Sequence, residues 1–216
     1  MISIKNYTVF PYEAIQYFSP RDIYTLSVLY LYSINVEVIN NKEYYVCNLT
    51  VEQIASYGNI KKDYIADNFL PRLKQSNYVI VETKQEKHTV KRNIYKLPKP
   101  KNNFRFIYKD ILTDSLSPEL KGFLISLFCC CDNNTPHCRY NTDELLQEIK
   151  INRASFFRYK KELMGEYIFS DKVKSIYGSQ YSSGIDIRCS WLRIHPQDDI
   201  SKETYIYPNA EVFADF

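Results

Sequence analysis

Apolar and polar positions along the chain follow a pattern that is written twice. The first copy opens at Ser19-Pro20-Arg21-Asp22, a serine in N-cap position followed by proline, and continues as an apolar run from Ile23 to Val38. Ile23, Leu26, Tyr30 and Ile34 fall there at helical spacing. The second copy opens at Ser117-Pro118-Glu119-Leu120 and runs from Phe123 to Cys131, with Leu120, Phe123, Leu124, Leu127 and Phe128 on one face. Each run leads to a polar turn (Asn40-Asn41-Lys42; Asp132 to Pro136), and the first turn is followed by a short strand at Tyr44–Cys47. Next comes a second helix start, at Thr50-Val51-Glu52-Gln53 and again at Thr142-Asp143-Glu144-Leu145. Thr50 and Gln53 form a capping box, and Gly58 is the expected end of that helix.

A third helix follows in each copy. In the first it starts near Lys61 with Ile65, Phe69 and Leu73 as its core stripe, and Pro71 predicts a kink or stop near Leu70. In the second it spans Arg153 to Met164 and buries Phe156, Tyr159 and Leu163. Alternating strands then read as hairpins: Tyr78–Glu82 with Asn93–Leu97, and Tyr167–Phe169 with Ile185–Ile194. An extended lead-in precedes each copy, Tyr7 to Ile15 and Phe104 to Leu112. Matching points are 98 residues apart at the first helix, 91 at the turn and 89 at the strand, as a duplicated module with loop differences requires.

Composition narrows the picture. The chain has 216 residues, enough for two domains of about 100 each. Its 20 Tyr and 12 Phe are first explained by AT-rich codons, which Tyr, Ile, Asn and Lys share. The net charge is +3, but residues 195–216 hold five acids and one lysine, a balance of −4 that leaves +7 on residues 1–194. That is compatible with nucleic acid without requiring it. No stretch approaches the roughly 20 apolar residues of a membrane span, and the N-terminus lacks the apolar core of a signal peptide. The six cysteines suit a reducing cytoplasm as small apolar residues, and their spacing with His137 lacks the paired Cys-x-x-Cys of a zinc site. No Gly-rich phosphate loop, Gly-x-Ser-x-Gly elbow or histidine pair is present, so the chain reads as non-enzymatic, without cofactor or metal.

In its order of helix, helix-turn-helix and hairpin, the chain resembles the tandem winged-helix proteins of plasmid and phage replication initiation. It is similar also to the winged-helix domains of phage replisome organisers and bacterial transcription regulators. The resemblance covers about residues 5–194 and implies an α+β fold of two tandem winged-helix modules, each a helix-turn-helix plus a β-hairpin wing. The module boundaries fall at 1–98, a Pro/Lys linker at 99–103, 104–194, and an acidic tail at 195–216. The implied partner is double-stranded DNA, in a bacterial or phage-infected cytoplasm and away from membranes. A homodimer through the first module and a replication or transcription protein partner stay open.

In such proteins the third helix enters the major groove and the wing touches flanking phosphates. Carried over, the second module's readers are Asn152, Arg153, Ser155, Arg158, Lys160 and Lys161, with Lys172 and Lys174 on its wing. The first module offers Lys61, Lys62, Tyr64 and Asn68, opposed by Asp63 and Asp67, and a wing bearing Lys84, Lys87, Lys91 and Arg92. The alternative for either helix is a plain solvated face, and for the chain a protein-interaction or scaffold module in a phage or bacterial assembly.

Overall fold

The two lead-in phrases pair with each other. In a computed structural model, which describes residues 5–84, 92–132, 135–174 and 181–194 and no side chains between 170 and 183, strand β1 (Tyr7–Pro11) runs antiparallel to β6 (Phe104–Tyr108). Tyr7 faces Tyr108, Val9 faces Phe106 and Pro11 faces Phe104. The repeat makes Tyr7 the counterpart of Phe104 and Pro11 the counterpart of Tyr108. Exchanging the halves therefore leaves the register unchanged, as pairing about a twofold axis does. A 3-10 turn follows each strand, at Tyr12–Gln16 and Lys109–Leu112.

Behind this seam α1 (Pro20–Leu31) packs against α5 (Pro118–Cys129), both 12 residues long. Every residue of α1 except Arg21 is buried, as is α5 from Leu120 to Cys129. Helices buried on nearly all sides belong in the middle of a core. A Cβ on Gly122 would stand 1.6 Å from the carbonyl oxygen of Pro20, so the two backbones touch at the crossing. Arg21 and Glu119, equivalent positions in the repeat, form an ion pair of 3.1 Å across it. One buried apolar cluster extends through both halves.

The first half departs from the sequence expectation in three places. The apolar run to Val38 is not one helix: α1 stops at Leu31, Ile34 is exposed, and β2 (Asn35–Ile39) pairs with β3 (Lys42–Cys47). Asn40 and Asn41 close this hairpin at φ 49° and 61°, the left-handed pair that a type I′ turn needs. Helix α2 (Val51–Gly58) carries the Thr50/Gln53 capping box, but it ends on left-handed Asn59, φ 50°, rather than on Gly58. Gly58 stays inside because a Cβ there would press on the Ile60 side chain at 2.9 Å. Finally, of the kink or stop expected near Leu70, the stop does not occur and the helix is irregular there instead. It runs as α3 (Lys62–Tyr64), a π turn (Ile65–Phe69) and α4 (Leu70–Gln75), in which the Leu70 N–H donates to Ile65 five residues back. The wider turn makes room for a proline ring and absorbs its missing donor. Ile65, Phe69 and Leu73 are fully buried as expected.

Strands β4 (Ile80–Lys84) and β5 (Arg92–Pro98) complete a four-stranded antiparallel sheet in the order β2-β3-β5-β4. Among the described residues the second half repeats the plan without a counterpart of β2. It has β7 (His137–Cys138), α6 (Thr142–Glu148), α7 (Arg153–Leu163), β8 (Ile168–Lys174) and β9 (Tyr181–Ile187), with sheet order β7-β9-β8. Asn141 and Glu144 cap α6 reciprocally.

The single strand expected over 185–194 is broken. β9 ends at Ile187, and β10 (Leu192–Arg193) joins the far edge of β6. Buried Trp191 anchors the crossing, its indole N–H donating to Asp114 at 2.9 Å, and the Tyr167 hydroxyl donates to the same oxygen at 3.2 Å. The fold is thus α+β with antiparallel sheets. Among the described residues no helix is long and apolar enough to cross a membrane. The tail at 195–216 lies outside the described residues.

Two outcomes follow from the touching backbones. Gly122→Ala is expected to lower stability by about 2 kcal/mol or more, since the added methyl meets backbone instead of a movable side chain. Urea denaturation followed by fluorescence is also expected to show one transition for both halves. Two separable transitions in the wild-type chain would mean that the seam does not couple them.

Candidate nucleic-acid interface

The third helices of the two halves spend their cations differently. In the second half, α6, a turn at 149–152 and α7 form a helix-turn-helix, and Phe156 and Leu163 fix the rotation of α7 by burying one face. Phe123 of α5 packs edge-on to Phe156 with centroids 5.5 Å apart and holds Tyr159 at the same distance. The opposite face is left to solvent.

Asn152 is the N-cap: its Oδ1 accepts from the Ser155 N–H at 2.8 Å, so part of its hydrogen-bonding capacity is spent on the helix. Arg153 Nη1 reaches Asp143 Oδ1 at 3.1 Å, with both side chains more than half exposed. Such a pair is worth about 0–1 kcal/mol and can open to a stronger anion. Arg158 lies 5.0 Å from the centroid of the neighbouring Tyr159 ring and is exposed. Lys161 is exposed and Lys160 half-buried; among the described residues none of these three cations has a carboxylate within ion-pair distance. Ser155 is half-buried. The backbones of Lys172 and Lys174 lie in β8 opposite Ser183 and Tyr181, and their side chains fall outside the description.

In the first half the same helix is turned to internal use. Tyr64 is not an open reader: its hydroxyl donates to Asp22 Oδ1 at 2.7 Å, and the Arg21 guanidinium covers its ring at 3.8 Å. Burial and this bond to a carboxylate push its phenol pKa up. Asp22 is 1% exposed and also receives Arg72 Nε and Nη2 at 2.9 and 2.8 Å and the Ser19 hydroxyl at 2.8 Å. Lys62 pairs with Glu52 at 2.6 Å, which holds the Glu52 carboxyl below its usual range. Lys61 and Asn68 are exposed, beside equally exposed Asp63 and Asp67. Lys84 and Arg92 are exposed and directly opposed on β4 and β5. Like charges so placed repel each other, and an anion between them would relieve it. Lys87 and Lys91 lie outside the described residues.

Two features were missing from the sequence reading. Phe157 stands 48% exposed on α7 among the cations, and Ile34, Val36 and Val38 are exposed along the edge of β2. The first had a signal, since Phe157 lies off the stripe of Phe156, Tyr159 and Leu163. The second had one too, in Val36-Glu37-Val38 alternating before two asparagines.

Five of the six cysteines are buried, and Cys189 is half-buried. Burial pushes the Cys47 and Cys129 thiols up to about 12, and among the described residues no group of three or more His, Cys, Asp or Glu side chains could hold a metal. His137 Nδ1 meets Asp186 Oδ1 at 2.6 Å across β7 and β9. Its ring fills the space above Gly184, where a Cβ would stand 2.1 Å from it. Comparison of the sequence with protein-family models and with curated proteins gives no match to either.

Removing the Arg72 guanidinium would strand the Asp22 carboxylate in the core. Arg72→Ala is expected to cost about 1–3 kcal/mol of stability, below a fully buried pair because Arg72 is 44% exposed. Urea midpoints of wild type and variant measure it, and an unchanged midpoint would make the cluster structurally idle.

Proposed function

We propose that the chain is a non-enzymatic duplex-DNA-binding protein of two tandem winged-helix modules, a plasmid- or phage-type replication initiator or transcriptional regulator working in the cytoplasm. The order of each half supports the winged-helix reading: helix, strand (β7 in the second half, β3 after an added β2 in the first), helix, helix, hairpin, with that strand joined to the second hairpin strand. The reading helix is α7. The observation that carries this is its exposed face of Arg153, Arg158 and Lys161, whose cations have, among the described residues, no carboxylate partner or only the exposed Asp143, while Arg72 and Tyr64 of the first half are committed to the buried Asp22. The Lys84/Arg92 pair suits phosphate beside it.

A second reading, a protein-interaction module, is favoured by the exposed edge of β2, where Val38 is 64% exposed. That edge is also open to a homodimer through the first half, whereas α1 is covered by α5.

Fluorescence anisotropy with AT-rich duplexes across a salt series tests the proposal. Affinity is expected to fall steeply with salt, by a slope of about −0.9 for each phosphate neutralised. No binding even at low salt leaves the protein-interaction reading. Arg153→Ala and Arg158→Ala are each expected to cost about 1–3 kcal/mol of binding and to relax base preference locally. By contrast, Lys84→Ala and Arg92→Ala should weaken all duplexes about equally and flatten the slope by about one unit each. Neutral arginines together with a strong dependence on Lys61 and Lys62 would assign reading to the first half instead.

A further inference from the structure

Phe157 is a phenyl ring that the fold does not need where it stands. Its counterpart under the 91-residue offset is Ala66, also exposed, so the same position in the first half is filled without a ring. The ring is nonetheless held: it stands edge-on to Phe156, centroids 5.6 Å apart and planes at 90°, and the Arg153 guanidinium lies 5.9 Å from its centre. Arg153 is one helical turn before it and Lys161 one turn after it, so the ring sits between two cations on one face. The residue is 48% exposed, so it offers apolar surface between those two cations.

The charge around the ring selects the ligand. A helix that sets cations against phosphates on both sides of the major groove presents whatever lies between them to the base edges. The apolar group available there is the C5 methyl of thymine. We infer that Phe157 packs against a thymine methyl and makes α7 selective for thymine-bearing duplexes. This rests on the duplex-DNA reading of the same helix and adds the base that it prefers.

The test uses the full chain and two duplexes of alternating sequence, one of dA and dT and the other of dA and dU, which differ only in the methyl. At low salt the wild-type protein is expected to bind the thymine duplex about fourfold more tightly, the value of one buried methyl. Phe157→Ala should lose about the same factor on the thymine duplex and show no preference between the two. Because the ring is exposed, its loss should leave the unfolding midpoint nearly unchanged. The coupling between ring and methyl in this double cycle separates contact from differences in duplex shape. Equal wild-type binding to both duplexes, or a preference that survives in Phe157→Ala, overturns the inference while the DNA reading stands. Failure to bind either duplex at low salt overturns both.

Discussion

The close crossing of α1 and α5 is the constraint on which the rest of the molecule depends. Gly122 lets the second helix rest directly on the Pro20 carbonyl, a distance that any side chain would forbid. That approach buries both helices on nearly every side and brings the preceding lead-ins close enough to pair as β1 and β6. A lone strand leaves its backbone donors and acceptors to water; here each lead-in satisfies the other's. Arg21 and Glu119 add specificity, because two identical halves meeting this way would set like charge against like. The seam is therefore one that unlike halves can make.

On that shared frame the two copies have parted electrostatically. In the first half a carboxylate, Asp22, occupies the buried helix position that Leu120 fills in the second. A buried carboxylate must be paired, and it recruits Arg72, Tyr64 and Ser19 from the surrounding elements. Groups that could have faced outward are thereby committed to the core. The second half keeps an apolar core at the equivalent point, and the cations of α7 stay at the surface. The π turn before Pro71 belongs to the same specialisation, since it carries the helix past the proline to Arg72.

Much of this was legible in the sequence because it is local. The Thr50/Gln53 capping box, the apolar stripe of α7 and the hairpin of β4 and β5 each act over a few residues, and each stands where its pattern predicts. The misses came from interactions between distant segments or from competing local signals. Nothing in Tyr7-Thr8-Val9-Phe10 names Phe104–Tyr108 as its partner. The run from Ile23 to Val38 hid a strand because helix and strand were equally apolar there, and only Asn40 and Asn41 marked the hairpin. Tyr64 looked available because the buried acid that claims its hydroxyl lies 42 residues earlier. Of the candidate interface, the exposed cations of α7 were readable from periodicity. Phe157 is less legible, because an aromatic residue beside Phe156 has the composition of a core position and only its place off the stripe sets it apart.

Hydrogen–deuterium exchange of the full chain, with and without saturating AT-rich duplex, reports on both third helices and on β2 in one experiment and so shows which of them DNA covers. If α7 is the reading helix, DNA slows exchange in α7 and the preceding turn, 149–163, while 62–75 and β2 change little. Protection concentrated in 62–75 or along β2, with α7 unchanged, would contradict it.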